Sequence, residues 1–287
     1  MSAADLTRVH LTNLGRIMYP AGGITKEEVI TYYVRMAPRM LPFLQNRPLT
    51  LHRFPDGVAG VDFYEKDAPR RIPDYVETFT RWSATAARDV HFVVCNNLDT
   101  LIWLANLASL ELHIALSTQA AYDTPDFLLF DIDPEPPLSF DDVLSVARVV
   151  RGHLEDAGIR PYVKTSGKKG LHIVVPLAPG NSFDDVRAFA HRTGKRIARD
   201  IPYVVSEFPR SRDPGTIFID YLQNARGKTM AAPYTLRATP GANVSAPLGW
   251  DEVREGTRPE DFNIRTMIFR TEDPWREIFE DRQAIGR

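Results

Sequence analysis

Residues Phe127-Leu128-Leu129-Phe130-Asp131-Ile132-Asp133-Pro134 read as one short strand that ends in two carboxylates. Side chains alternate along a strand, so Leu129, Asp131 and Asp133 share one face and Leu128, Phe130 and Ile132 the other. Such a segment demands a sheet that buries the apolar face and still balances two acids on the opposite one, because carboxylates buried without partners are costly. A divalent cation is the simplest balance. A third acid sits in a similar setting in Ile217-Phe218-Ile219-Asp220-Tyr221-Leu222. Three carboxylates at strand ends can hold the metals of a phosphoryl-transfer enzyme. A lone pair of this kind also serves as a turn cap before a proline, so the motif needs company to carry a function.

The chain has 287 residues, enough for one large domain or two small ones. No apolar run approaches the ~20 residues of a membrane span, and Met1-Ser2-Ala3-Ala4-Asp5-Leu6 is not a signal peptide. Cys95 is the only cysteine, which excludes an intrachain disulfide and a Cys-based zinc site. Flanked by Val93, Val94 and Asn96, it reads as a buried strand residue. The cytoplasm is the expected compartment. The net charge of −2 excludes a protein that is basic all over. It does not exclude a nucleic-acid binder, since carboxylate metal ligands offset basic grooves in the total. Basic residues cluster in Lys164 to Lys169, Arg187 to Arg199 and Arg226 to Arg237.

The pattern along the chain is mixed α/β without internal repeats. Thr25-Lys26-Glu27-Glu28 has capping-box spacing and predicts a helix with Val29, Tyr33, Met36 and Met40 on one side, kinked or ended by Pro38. Residues 48–53 and 61–64 predict strands around the turn Pro55-Asp56-Gly57. Asn97 caps a second predicted helix through Leu101, Leu104, Leu107 and Leu112. Ser139 to Asp142 opens a third with Gly158 as its stop, and Ser182 to Asp185 a fourth that runs to about Ala198. Strands are predicted at 162–164, 171–176, 217–222 and 234–237.

A second motif is Thr165-Ser166-Gly167-Lys168-Lys169-Gly170-Leu171-His172. Two glycines bracket two lysines between strands, and Ser, Lys and His add donors, which suits a triphosphate. It is not a P-loop, and a polar hairpin turn has the same composition. His172 alone, at the head of an apolar strand, is more often a satisfied structural group. A third motif, Asp220-Tyr221-Leu222-Gln223-Asn224-Ala225-Arg226-Gly227-Lys228-Thr229, places amides and cations after a strand-end carboxylate. Near the start, Arg16 and Lys26 flank Tyr19-Pro20-Ala21-Gly22-Gly23. Lys26 falls at a helix N-terminus, where the dipole disfavours a cation and a bound phosphate would relieve it. Phe63 and Tyr64 are adjacent, so one is expected to face the core and the other solvent, where it could stack on a base.

Taken together these segments resemble the polymerase domain of bacterial ligase-D-type end-joining enzymes, of the archaeo-eukaryotic primase superfamily. The markers are Tyr19-Pro20, Arg47-Pro48-Leu49-Thr50, Arg53-Phe54-Pro55-Asp56-Gly57, Trp103-Leu104-Ala105-Asn106, Glu111-Leu112-His113, Phe130-Asp131-Ile132-Asp133-Pro134, the Ser166 loop, Asp220-Tyr221-Leu222-Gln223-Asn224 and Ala232-Pro233-Tyr234. They run in order over nearly the whole chain. The resemblance implies Asp131, Asp133 and Asp220 as catalytic metal carboxylates. It implies Lys66, His113, Ser166, Lys169, His172 and Arg237 at the nucleotide. Arg16 and Lys26 match a pair that holds a DNA 5′-phosphate, and Phe63 and Tyr64 an aromatic pair at the template base. Arg16 stands where the family often has lysine, Tyr64 where phenylalanine is common, and Asp67 where many members are polar or basic, which would weaken nearby phosphate contacts.

The expected fold is α/β (mixed α+β): a primase-polymerase-like catalytic core of central β-sheets flanked by helices, with an N-terminal α/β extension. Residues 1–287 are expected to form a single primase-polymerase domain. Within it, about 1–125 would contact DNA ends and template, about 126–245 form the catalytic core, and about 246–287 a C-terminal extension. The expected activity is DNA-dependent nucleotidyl transfer that fills gaps and extends 3′ ends in double-strand-break repair, with two divalent ions, Mn2+ or Mg2+, and a preference for ribonucleotides. Expected partners are gapped or broken DNA bearing a 5′-phosphate, NTP or dNTP, Ku and a separate DNA ligase, with no membrane. No ligase or phosphoesterase domain is recognised, so the reading covers a stand-alone homologue or an excised domain. Two alternatives stay open: a catalytically weak DNA-end-binding module and a primase that starts chains de novo.

Overall fold

The computed structural model describes residues 8–83, 86–207 and 213–286, so the run Met1–Leu6 weighed above as a leader lies outside the described residues. The chain forms two compact units, each drawn from separate stretches of sequence: Met1–Ala120, Thr229–Ser245 and Phe262–Thr271 in the first, and Ala121–Lys228, Ala246–Asp261 and Glu272–Arg287 in the second.

In the first unit, β1 (Ile17–Tyr19) and β2 (Ile24–Thr25) form a small antiparallel pair ahead of helix α1 (Lys26–Leu44). Then come β3 (Leu49–Arg53), β4 (Phe63–Glu65), β5 (Glu77–Ser83), β6 (Arg88–Val94), α2 (Leu98–Asn106) and β7 (Ser109–Ala115). A later segment, β13 (Thr229–Ala231), completes a four-stranded antiparallel sheet in the order β13-β7-β3-β4. Every residue of β7 is buried.

Helix α1 begins as its capping box requires, with Glu28 N donating to Thr25 Oγ1 at 3.2 Å and Thr25 N to Glu28 Oε2 at 2.8 Å. It does not stop at Pro38. Both Pro38 and Pro42 lie inside it, and the buried stripe Val29, Ile30, Tyr33, Met36, Ala37, Met40, Phe43 and Leu44 continues past them. Burying that stripe outweighs the roughly 3 kcal/mol that an interior proline costs. The second helix is shorter than predicted. Ala108 adopts φ +59°, and the leucine-rich run turns there from helix to strand, so Leu112 belongs to β7 and Leu107 caps α2. Residues 234–237 are not a strand: Tyr234 has φ +67°, and only Leu236 bridges, to Val244. The hairpin of β5 and β6 is an element the sequence reading did not foresee. Cys95 is buried just past the end of β6, and burial pushes its thiol well up from the ordinary value.

The second unit is built on β8 (Phe127–Pro134), α3 (Phe140–Asp156), β9 (Tyr162–Thr165), β10 (Leu171–Pro176), α4 (Phe183–Asp200), β11 (Val204–Val205), β12 (Ile217–Asp220) and β14 (Pro247–Leu248). Its sheet has the order β11-β12-β8-β10-β9-β14, in which only β11 and β12 are parallel. The capping boxes at Ser139 and Ser182 open α3 and α4 as predicted. Leu128, Phe130 and Ile132 are fully buried. Ile219 sits opposite Ile132, and a Cβ on Gly194 of α4 would lie 3.8 Å from it, so α4 covers this face. Asp131 and Asp133 therefore point to the other side.

Strand β12 ends at Asp220, two residues earlier than predicted, and residues 221–223 form a 3-10 turn. The missing ladder is replaced by a side chain. Asn224, fully buried, accepts from Leu129 N at 2.8 Å and donates to Leu129 O at 2.7 Å. Among the described residues no helix is long and apolar enough to cross a membrane. Replacing Asn224 by Ala would strand a buried donor and acceptor of β8. A loss of about 1–3 kcal/mol is expected, read as a lower urea midpoint at unchanged slope.

Candidate active site

The registers of the second unit set four side chains in one row. Lys164 on β9 lies opposite His172 on β10, His172 opposite Asp131 on β8, and Asp131 opposite Asp220 on β12. Directly opposed residues of antiparallel strands present their side chains on the same face. Lys164 is fully buried, and its Nζ lies 2.8 Å from His172 Nδ1. An ammonium can only donate, so Nδ1 accepts and the ring proton belongs on Nε2. Nε2 lies 3.3 Å from Asp131 Oδ1. His172 thus sits between the buried Lys164 and the Asp131 carboxylate.

Asp220 closes the other end of the row. Burial and then the negative charge of Asp131 raise its pKa, against the lowering effect of the Leu222 N–H, which donates to Oδ1 at 2.8 Å. Gln223 Nε2 donates to its Oδ2 at 3.1 Å. Two carboxylates facing each other across neighbouring strands repel, and a divalent cation between them removes the repulsion. Carboxylate oxygens such as those of Asp131, Asp133 and Asp220 suit a hard cation, but among the described residues the three do not form a cluster with ligand atoms within 4.8 Å of one another.

The loop after β9 packs against the end of β8. A Cβ on Gly170 would sit 2.3 Å from Ile132 O and 2.5 Å from Asp133 Oδ1, so only glycine fits that approach. Ser166 Oγ accepts from Gly170 N at 3.1 Å and from Lys168 N at 3.3 Å. By accepting from these two backbone N–H groups, the hydroxyl shapes the loop. Lys169 Nζ donates to Pro134 O at 2.9 Å and pairs with Glu135 at 3.1 Å.

The first unit gathers a separate constellation. Glu111 is fully buried on β7, with Oε2 3.2 Å from His113 Nε2, 3.4 Å from His52 Nδ1 and 3.2 Å from Arg237 Nε. Its Oε1 accepts from Ala238 N at 2.9 Å. Burial lowers the pKa of His113, whereas the bonds of His52 to Glu111 and Asp62 overcome its burial and raise its pKa. Tyr64 stacks on His52 at 4.0 Å between ring centroids and meets His113 edge-on at 5.8 Å. Phe63 and Tyr64 are both exposed, at 40% and 59%, rather than one in and one out, because β4 is the edge strand of its sheet. Lys66 is exposed just beyond β4, outside this cluster's bonds. Asp67 is engaged elsewhere, accepting from His91 N at 2.8 Å and pairing with Arg88.

Arg16 and Lys26 are brought together. Lys26 N donates to Arg16 O at 2.8 Å, and Lys26 Nζ to Thr12 O at 2.8 Å. Burial and then the charge of Arg16 lower the pKa of Lys26, which is 5% exposed at the first position of α1. Arg16 Nη1 is 3.0 Å from Asp56 Oδ1.

A family model for the LigD primase-polymerase domain matches residues 25–275. The chain belongs to that family. The multifunctional non-homologous end joining protein LigD of Mycolicibacterium smegmatis is 35% identical over 256 residues, 86% of this chain and 33% of that protein. The bifunctional non-homologous end joining protein LigD of Bacillus subtilis is 31% identical over 266 residues, 92% of this chain and 42% of that protein. The chain thus spans well under half the length of these relatives. A solved structure, the polymerase domain of Mycobacterium tuberculosis ligase D in complex with DNA, superposes with a TM-score of 0.87 at 30% identity, covering 96% of this chain and 99% of that one. As a member of that family the chain has its mixed α/β fold and is a nucleotidyltransferase of the primase-polymerase type.

Within this LigD domain the row adds Lys164, and the buried hub adds Glu111 and His52, to the residues that sequence reasoning selected. A signal for Glu111 was present: one acid in the otherwise apolar run Leu110 to Leu116, broken only by His113. Lys164 carried no such mark, because its meaning comes from register. Since His172 holds Asp131 rather than standing free in the loop, His172→Ala is expected to lower kcat of nucleotide addition at least about tenfold with a smaller change in nucleotide KM. Steady-state gap filling, normalised to folded protein, measures this. Unchanged kinetics alongside a lower Tm would make His172 a packing residue.

Proposed function

We propose that this domain adds nucleotides to the 3′ end of a primer strand at gaps and broken DNA ends bearing a 5′-phosphate, in end joining, with Asp131, Asp133 and Asp220 as its metal ligands. The observation that carries the reading is the row Lys164, His172, Asp131 and Asp220, in which a buried lysine and a histidine orient one carboxylate of a mutually repelling pair. The primer 3′-oxygen forms a bond to the α-phosphorus, the bond from that phosphorus to the bridging oxygen breaks, and pyrophosphate leaves. Two divalent ions, Mn2+ or Mg2+, when bound, supply a lowered pKa for the 3′-hydroxyl and neutralise charge on the leaving group. The protein's part is positioning. His172 fixes Asp131, Leu222 N–H and Gln223 fix Asp220, and the tight Gly170 turn sets the Ser166 hydroxyl and Lys169 for the triphosphate. His113, Arg237 and Lys66 are proposed as further nucleotide contacts, and Phe63 and Tyr64 as template contacts. The retained acids support catalysis over a purely end-binding role. The relatives' names support the end-joining role; Ku and a separate ligase as partners, and ribonucleotides as the preferred substrate, are proposed from the family resemblance alone.

The deciding assay is extension of a labelled primer across a short 5′-phosphorylated gap, comparing rNTP with dNTP and manganese with magnesium. Asp131→Ala and Asp220→Ala should each reduce addition by orders of magnitude while DNA binding persists. Wild-type extension by either variant would remove the metal assignment.

The 5′-phosphate site is proposed for Arg16 and Lys26, since an anion between two neighbouring cations relieves their repulsion and satisfies charge-assisted hydrogen bonds. Wild type should bind a gapped duplex more tightly with a 5′-phosphate than with a 5′-hydroxyl, by a margin that shrinks with salt. Because the pKa of Lys26 is lowered, the preference should fade as pH rises through a lower range than for an ordinary lysine. Arg16→Ala/Lys26→Ala should bind both duplexes alike and still extend a simple primer-template. Equal binding of both duplexes by wild type at low salt would eliminate the pocket.

A further inference from the structure

We propose that Glu111 is a positioning residue for the nucleotide: a buried carboxylate that orients His113 and Arg237 together so that both can engage it. The proposal rests on the nucleotidyltransferase reading and adds a residue to it. Glu111 and His113 are two apart on β7 and share a face, and His52 lies directly opposite Glu111 on β3. A carboxylate with no exposed surface is tolerated only where partners replace its lost hydration.

Each oxygen of Glu111 has its own task. Oε1 takes the Ala238 N–H at 2.9 Å, which pins the backbone immediately after Arg237. Oε2 lies 3.2 Å from the Arg237 Nε, an ion pair without hydrogen-bond alignment, and 3.2 Å from His113 Nε2. Burial keeps His113 in its neutral form, which carries a single ring proton. Donating that proton from Nε2 to Glu111 leaves Nδ1 as an acceptor, so Glu111 selects which nitrogen the ligand meets. Through His52, 3.4 Å from the same oxygen and stacked on Tyr64, the hub also reaches the exposed aromatic pair. Glu111 touches no ligand itself in this scheme. It sets the tautomer of one contact residue and the placement of another.

His52, Glu111 and His113 could by spacing alone hold a metal ion, since their ligand atoms lie within 4.8 Å of one another. The Arg237 guanidinium beside the shared oxygen argues for a charge network instead, because it already supplies the positive charge that an ion would bring.

The test compares wild type, Glu111→Gln, Glu111→Asp, Arg237→Gln and the double variant Glu111→Gln/Arg237→Gln in single-nucleotide gap filling, with Tm and metal content measured on the same preparations. Glu111→Gln should raise nucleotide KM roughly 10- to 100-fold with a smaller change in kcat and unchanged affinity for the 5′-phosphorylated gap. Glu111→Asp, which keeps the charge, should recover part of that loss. The double variant should be no worse than about the poorer single one, the non-additivity expected of residues acting as a unit. A wild-type KM in folded Glu111→Gln and Glu111→Asp, with gap filling by wild type intact, overturns the positioning role and leaves the nucleotidyltransferase reading standing. Absence of gap filling in wild type overturns both. Should Glu111→Gln not fold, a wild-type KM in Glu111→Asp overturns the proposal by itself. One equivalent of zinc or manganese retained by wild type after dialysis against a chelator, and lost in His52→Ala, overturns it in favour of a metal centre.

Discussion

The register of β8 with its two neighbours is the constraint on which the rest of the second unit depends. Asp131 faces the active side only because Phe130 and Ile132 face α4, and it meets His172 and Asp220 only because both neighbouring strands are paired at that residue. A slip of one residue in either ladder would turn a whole set of side chains to the wrong face. Three local devices hold the register. Gly170 lets the following loop approach Ile132 O, Asn224 finishes the ladder where β12 stops, and the Asp220 carboxylate caps its own 3-10 turn. The proposed metal carboxylates and the residues that fix the strands are thus interleaved within a few positions.

The two charged constellations solve the burial of an acid in different ways. Glu111 is compensated in full by protein groups, with an arginine, two histidines and a backbone N–H around it. Asp220 has one backbone N–H, one amide and the charge of Lys228 in its favour, yet burial and its neighbour Asp131 still raise its pKa. A site completed from within is suited to organising other residues. A site left electrostatically incomplete is suited to taking up a cation.

Much of this was legible in the sequence because it rests on local rules. Capping boxes placed three helix starts, Asn97 placed the fourth, and short apolar runs placed β8 and β10. The reading failed where tertiary burial overrode a local signal. Pro38 and Pro42 stayed helical because the apolar stripe of α1 runs through both. Leu107 and Leu112 fitted a helical period, yet a positive φ at Ala108 converts the same leucines into helix end and strand. Phe63 and Tyr64 alternate as any strand does, but an edge position exposes both. The site residues followed the same division. Carboxylates at strand ends announce themselves, whereas Lys164 and His52 gain their roles from partners on other strands, which spacing along one chain does not reveal.

The sheet of the first unit contains a consequence for how the chain comes off the ribosome. Strand β7 is buried along its whole length, but its outer neighbour β13 begins at Thr229, more than a hundred residues after β7 ends at Ala115. Until that segment is synthesised, β7 is an apolar edge with unpaired backbone groups, the kind of surface that recruits stray strands. The nascent first unit therefore passes through an interval in which its fully buried strand lacks a partner on one side. Shielding of that edge during translation, by chaperones or by slow collapse of the preceding helices over it, becomes a determinant of how much soluble protein a cell recovers.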